Sequence, residues 1–373
     1  MVEVKEVKNK SDLRKFIFFP LKLYKNSPYY VPDLISDEFY MLQKGKNPAF
    51  EHCDMKLFLA YKDGKVAGRI GAMINRTANE KFGNKRLRFT RIDFIDDYEV
   101  SAALFKAAED YGREMGMTQI QGPIGFQDMD KQGMLVEGFD RMSIMLAIYN
   151  YPYYMTHLEK LGFKKEADWI EYFVNRPPDM AEKMERLSEM VLRRMNMKLV
   201  TLKKMSEADP YVAGFFELAD RAYSPLYGTV PLTRKQFQQY YDKYIKMMDP
   251  RFVFFISDSE NKMRALAMAM PSLSKALRRC KGRLLPFGWV DLLLSQKKGD
   301  TLDMCLVAIE PELQSSGLAA VLLIHMLKMG FKHGFKYAES GPVLEANEKV
   351  QSIYKPFPKE QHKRRRCYLK EIV

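Results

Sequence analysis

Cysteine is scarce in this chain: 373 residues hold only Cys53, Cys280, Cys305 and Cys367. They are too few and too scattered for a disulfide framework. No CxxC or Cys/His ligand spacing exists, which excludes a zinc finger or ribbon. Free thiols suit a reducing compartment. Long apolar runs are missing as well. No stretch of about 18 apolar residues occurs, so no transmembrane helix is expected. The longest candidate, residues 317–331, is interrupted by His325 and Lys328. Residues 1–16 are charged from Glu3 onward and contain no apolar core segment, so no signal peptide is expected and the cytoplasm is the default location. There is no GxSxG elbow and no paired Ser/His/Asp order. The five histidines (His52, His157, His325, His333 and His362) fall into no triad or metal-ligand spacing, so no metal site is expected.

What is present is globular in character: 47% hydrophobic, 29% charged and 13% aromatic residues. The length suits two or three domains. Sixty basic residues against 47 acidic ones give a formal charge of +13, which favours an anionic partner. Nucleic acid, membrane headgroups and a polyphosphate cofactor all qualify. Part of the excess is concentrated in Lys363-Arg364-Arg365-Arg366 and around Arg278-Arg279-Cys280-Lys281. The 25 methionines read as core or adaptable pocket filling.

Hydrophobic periodicity and turn signals lay out two similar series. In the first, a strand at 2–7 precedes a helix from Ser11 to about Leu23. A hairpin pairs 55–61 with 66–75 across Asp63-Gly64. A strand at 87–94, a helix at 99–115, a short strand at 118–121, a helix at 153–161 and a strand at 169–174 complete it. Pro177-Pro178 then breaks the pattern, and a connecting helix is expected over 179–194. In the second series, a strand at 197–202 precedes helices at 208–223 and 233–247. Strands at 251–257, 264–270 and 303–309 lead to a helix at 317–329. A strand at 336–339, a helix at 347–354 and a strand at 367–371 follow. Gly122-Pro123 and Gly341-Pro342 both close the short strand, 219 residues apart. Each follows a glycine-capped helix, and each is followed by an asparagine opening a tyrosine-bearing helix: Asn150 with Tyr154, Asn347 with Tyr354. One α/β unit used twice is the reading, with an insertion over 126–149 in the first copy.

The stretch that carries chemistry starts at Cys305. A strand runs into a turn, and Gln314-Ser315-Ser316-Gly317-Leu318-Ala319 opens a helix. Amides at a helix start are unpaired and the dipole is positive there; a glycine lets phosphate oxygens approach. The stretch is neither a Walker loop nor a GxGxxG fingerprint, and it reads as a pyrophosphate cradle. The matching place in the first copy, 94–102, lacks glycine. There Asp96, Asp97 and Glu99 would repel phosphate.

Gln314 to Ala319 matches the Q/R-x-x-G-x-G/A signature of the GCN5-related N-acetyltransferases (GNAT), and Asn347 and Tyr354 follow at the spacing of that family's Asn and Tyr pair. The whole chain also resembles a tandem-GNAT, YghO-like bacterial family. The matches are Gly122-Pro123, residues 133–139 (GMLVEGF), Tyr153-Tyr154, Leu161-Gly162-Phe163, residues 230–233 (VPLT), Asp249-Pro250, residues 282–287 (GRLLPF) and Glu345-x-Asn347.

The resemblance implies an α/β fold of two tandem GNAT units, each a mixed, mainly antiparallel twisted sheet flanked by helices. An N-terminal unit with a degenerate loop (1–176), a connecting helix (177–196) and a C-terminal unit with the pyrophosphate loop (197–373) are expected. It implies acetyl-CoA-dependent N-acyl transfer by direct attack of an amine, from a small molecule or a peptide. Gln314, Ser315, Ser316, Gly317, Leu318 and Ala319 would hold pyrophosphate. Leu306, Val307, Ala308 and Ile309 would pair with the pantetheine arm, and Asn347 would touch it. Tyr354 would protonate the leaving thiolate, with Glu310, Glu339 or Glu345 as the base. Two other readings share the architecture. One is a Fem-like aminoacyl transferase using aminoacyl-tRNA, for which the positive charge suits a tRNA partner. The other is a non-catalytic acyl-CoA-binding protein. DNA is not expected as a partner.

Overall fold

The computed structural model describes residues 1–127, 130–175, 181–355 and 357–372. Pro177-Pro178 and the first residues of the expected connecting helix lie outside them. Fourteen strands are present among the described residues: β1 Val2–Glu6, β2 Cys53–Lys62, β3 Lys65–Asn75, β4 Arg86–Phe94, β5 Gln119–Gly122, β6 Met134–Glu137, β7 Lys164–Asn175, β8 Lys198–Thr201, β9 Val253–Ser257, β10 Met263–Pro271, β11 Thr301–Ile309, β12 Tyr337–Ser340, β13 Val343–Leu344 and β14 Lys359–Glu371.

The chain divides into two compact units, and neither is continuous in sequence. The first contains residues 1–169, 274–292 and 363–373; the second contains 170–273 and 293–362. In the first, β1, β2, β3 and β4 are successive antiparallel neighbours. β4 then runs parallel to β5. β5 pairs antiparallel with Tyr368–Glu371 of β14, and β6 lies against 364–366 of that strand. The second unit repeats the order. β8, β9, β10 and β11 are antiparallel, β11 is parallel to β12, and β12 pairs antiparallel with residues 173–175 of β7. The sheets are mixed and mainly antiparallel, with helices packed on them. The sixth strand of each unit comes from the far end of the other half of the sequence.

Periodicity explains which faces are covered. In the first unit the helix Tyr98–Glu114 buries Val100, Leu104, Phe105, Ala108 and Tyr111, a repeat of three and four, against Ile70, Phe89 and Phe94. In the second, the helix Leu318–Lys332 is apolar on most sides. Leu318, Val321, Leu322 and Met326 meet Phe254, Ala267, Leu302 and Met304. The opposite face of that sheet, including Phe255, Leu266, Met268 and Ala308, is covered by the helices Val212–Tyr223 and Arg234–Lys243.

Several edges differ from the periodicity. Asn9, not Ser11, caps the first helix, accepting from the Asp12 amide at 3.0 Å. β14 begins eight residues before the expected strand at 367, within Lys-Glu-Gln-His-Lys-Arg-Arg-Arg. A polar run of this kind carries no apolar alternation, yet His362, Lys363 and Arg365 are buried. Two helices, Ser274–Cys280 and Gly288–Lys298, lie between β10 and β11 where no element was expected.

Candidate functional site

Strand β11 is shared unevenly. On one side it pairs with β10 along its length, with a bulge at Cys305: Met268 faces Leu306 and Ala269 faces Met304. On the other side, parallel pairing with β12 covers only Thr301–Met304. Among the described residues, Leu306, Val307, Ala308 and Ile309 have no ladder partner there, so that edge can accept an extended chain. One group on it is already used, as the Tyr223 hydroxyl donates to the Val307 carbonyl at 2.8 Å.

β11 runs into a short 3₁₀ turn, Pro311–Leu313, and then to Gly317, the N-cap of the helix Leu318–Lys332. Gly317 has φ +92°, a conformation any side chain would strain, and brings no side-chain cap of its own, while the Leu318 amide donates to the Ser316 hydroxyl at 3.4 Å. The Ser316 hydroxyl turns back to the Leu313 carbonyl at 2.6 Å. Among the described residues the amides of Ser315, Gly317 and Ala319 find no acceptor. A Cβ on Gly317 would sit 3.5 Å from the Val191 side chain, which bounds the turn on one side. Unpaired amides, a positive dipole end and a glycine cap suit an anionic oxygen, and the donor set fits a diphosphate.

The other expected residues fall as follows. Glu310 is buried, and both its oxygens accept from the Arg221 guanidinium, at 2.8 and 3.0 Å. Asn347 caps the helix Glu348–Ile353, accepting from the Val350 amide at 3.2 Å. Glu345 is half-buried, and its carbonyl accepts from the Gln351 side chain. Tyr354 is buried, with its ring 4.9 Å from that of Tyr172. Its hydroxyl makes no hydrogen bond among the described residues, and burial pushes its pKa well up, so it stays protonated at neutral pH.

One cluster escaped the sequence reading. Glu171, Glu339 and His362 are buried and bring ligand-type atoms within 4.8 Å of one another, with His362 Nε2 3.3 Å from Glu339 Oε1. The three come from β7, β12 and β14, so no local spacing signals them. Two carboxylates and an imidazole could hold a cation or pass a proton.

The first unit finishes its equivalent turn differently. The Asp97 carboxylate caps the helix Tyr98–Glu114, accepting from the Glu99 amide at 3.0 Å, and ion-pairs with Lys62. Asp96 meets His157 Nε2 at 3.1 Å, and His157 Nδ1 meets the Ser101 hydroxyl at 2.9 Å. The Tyr154 ring stacks on Phe94 at 4.1 Å, and its hydroxyl accepts from the Phe94 amide at 2.9 Å. Protein atoms take the places that are open in the second unit.

Among solved structures, a tandem GNAT protein from the clavulanic acid biosynthesis pathway superposes with a TM-score of 0.59 at 12% identity, over 100% of this chain and 99% of that one. Protein YghO of Escherichia coli is 29% identical over 371 residues, 98% of this chain and 94% of its own. This chain has the tandem GNAT fold and is similar to YghO along nearly its whole length. A second relative, the bacterial ceramide synthase of Caulobacter vibrioides, is 29% identical over 98% of this chain and 96% of its own length. No family model matches the sequence. No helix among the described residues is long and apolar enough to cross a membrane.

Proposed function

We propose that the second unit is an acyl-CoA-dependent N-acyltransferase. The observation that carries this reading is the glycine-led start of the helix Leu318–Lys332, with the amides of Ser315, Gly317 and Ala319 without acceptors among the described residues, beside the unpaired half of β11. The backbone of Gln314, Ser315, Ser316, Gly317, Leu318 and Ala319 binds the coenzyme A diphosphate. Leu306, Val307, Ala308 and Ile309 orient the pantetheine arm, with Asn347 beside it. The bound thioester supplies an activated acyl carbon. Tyr354, kept protonated by burial, gives its proton to the departing sulfur. The base that frees the acceptor amine is drawn from Glu345, Glu310 and Glu339. Glu345 is half-buried, Glu310 must first release Arg221, and Glu339 lies against His362.

Acetyl-CoA is the simplest donor. The Caulobacter relative's name supports a longer one, because a ceramide is an N-acylated long-chain amino alcohol. An amino-lipid acceptor follows from the same support. The first unit, its helix start closed by Asp97, binds no donor by that turn.

Titration calorimetry with coenzyme A tests the reading. One site per chain is expected, and Gly317→Glu should abolish it, by both backbone strain and charge. No binding by the parent protein, or binding unaffected by Gly317→Glu, would overturn it. A panel of acyl-CoA chain lengths against amine acceptors then fixes the donor, and pH–rate profiles of Glu345→Gln, Glu310→Gln and Glu339→Gln identify the base.

A further inference from the structure

The link from β10 to β11 runs over residues 272–300, whereas β3 and β4 are joined by residues 76–85. Between its two helices the longer link holds apolar side chains outward. Leu285 is 80% exposed, Phe287 76% and Trp289 50%; one turn on, Leu293 and Leu294 are 49% and 46% exposed. Singly exposed apolar residues are ordinary, but five within ten positions are not.

This display is built into the backbone. A Cβ on Gly288 would lie 1.8 Å from the Arg283 carbonyl, so only glycine closes the turn. The Trp289 amide donates to the Leu284 carbonyl at 3.0 Å, and its indole N–H donates to the Pro286 carbonyl at 3.1 Å. The indole's one polar group is therefore satisfied while its ring faces out. The turn is also anchored: the Ile35 amide donates to the Gly282 carbonyl at 2.9 Å.

The charge around it has one sign. Residues 274–298 carry seven basic side chains against a single acid, Asp291, whose carboxylate accepts from Arg279 at 3.0 Å. Arg279, Lys281, Arg283, Lys297 and Lys298 are exposed. The helix Gly288–Lys298 is too short to span a bilayer, but its length suits one lying in the interface. Leucine and aromatic side chains framed by lysine and arginine match the headgroup–acyl boundary of an anionic membrane: rings and aliphatic chains enter, and cations meet phosphates.

We propose that the turn and helix over residues 284–298 form a membrane-surface anchor. It places Leu285, Phe287, Trp289 and Leu293 at the acyl boundary of an anionic bilayer, with the flanking lysines and arginines on lipid phosphates. The proposal does not depend on the transferase reading.

The chain has two tryptophans, and Trp169 is buried. Trp169→Phe therefore leaves Trp289 as the reporter. The full-length variant is mixed with vesicles of phosphatidylcholine alone, or of phosphatidylcholine and phosphatidylglycerol in equal parts, and separated by flotation. Flotation with the anionic vesicles is expected, falling with added salt. A blue shift of Trp289 emission and its quenching by brominated acyl chains should accompany it. Leu285→Asp with Phe287→Asp should weaken partitioning at least roughly tenfold. Lys281→Glu with Lys298→Glu should weaken it roughly tenfold on anionic vesicles only. All four side chains are exposed, so unchanged near-ultraviolet dichroism is expected and confirms the fold. Failure to float with anionic vesicles, equal binding to both compositions, or wild-type flotation by the double aspartate variant would overturn the proposal. So would a lipid-free oligomer that by itself buries Trp289, which would assign the surface to a protein partner.

Discussion

Each unit sends a helix out of its fourth strand, and the two helices begin in opposite ways. The helix Tyr98–Glu114 is closed by its own residue: Asp97 accepts from the Glu99 amide and is tied to Lys62. The helix Leu318–Lys332 is opened by Gly317, which has no side chain to cap it, and only the Ser316 hydroxyl accepts from its first amide, at 3.4 Å. The tyrosines repeat the contrast. Tyr154 is bonded to the Phe94 amide and to Tyr24, whereas Tyr354 keeps its hydroxyl unengaged among the described residues. The two units share a scaffold, but the first turns the equivalent groups inward to hold itself together. Stability and chemistry compete for the same amides and hydroxyls, and the two copies show both outcomes.

The largest effect expected from probing this contrast is structural. Arg69 and Asp93 are both buried, 2.7 Å apart, so Arg69→Met leaves an uncompensated charge inside the first unit. It should cost about 3–5 kcal/mol in denaturant unfolding. Arg221, paired with Glu310, is partly exposed; its Met variant should cost roughly 1–2 kcal/mol. Equal losses would break the comparison. The tyrosines come next. Tyr354→Phe should lower kcat by about 100-fold with little change in melting temperature. Tyr154→Phe should instead leave kcat intact and lose about 1–3 kcal/mol of stability, because buried partners are stranded. A smaller loss of about 1 kcal/mol is expected for Asp97→Ala, read as a lowered melting temperature, and no coenzyme A site should appear in the first unit.

The smallest effect concerns pH. His325, on the helix Leu318–Lys332 and 4.6 Å from the Phe254 ring, has its pKa pushed down to about 4 by burial and the nearby Lys328. Its unfolded value is near 6.5, so between these values the unfolded chain binds more protons. The contribution is therefore intact above pH 6.5 and lost as pH falls toward 4. Thermal melts at pH 7 and pH 4.5 should differ by on the order of 1 kcal/mol more in the parent than in His325→Phe.

Much of this architecture is legible in the residues. The hairpin at Asp63-Gly64, the helix following Asp97, the glycine cap at 317 and the paired Gly-Pro steps all have local physical causes, and each appears at its place. Strand exchange was not legible. Alternation tells which face of β7 or β14 is buried, but not which sheet supplies its neighbour. The early part of β14 was missed because burial there involves His362, Lys363 and Arg365, which carry no apolar signal. The helix Gly288–Lys298 was missed because a Pro and a Gly precede an apolar run whose side chains face outward. Of the candidate site, the turn and its glycine had local signals, whereas the Glu171–Glu339–His362 cluster arises only when three distant strands meet.

The sheet of the first unit is completed by Tyr368–Glu371, paired to Gln119–Gly122. A nascent chain leaving the ribosome cannot close that sheet when residue 169 emerges. It must wait, its edge unmet, while some two hundred further residues are synthesised. Translation pauses and chaperone supply between the two stretches therefore bear on the first unit as much as on the second, and a lesion in residues 368–371 should unfold strands made some two hundred residues before it.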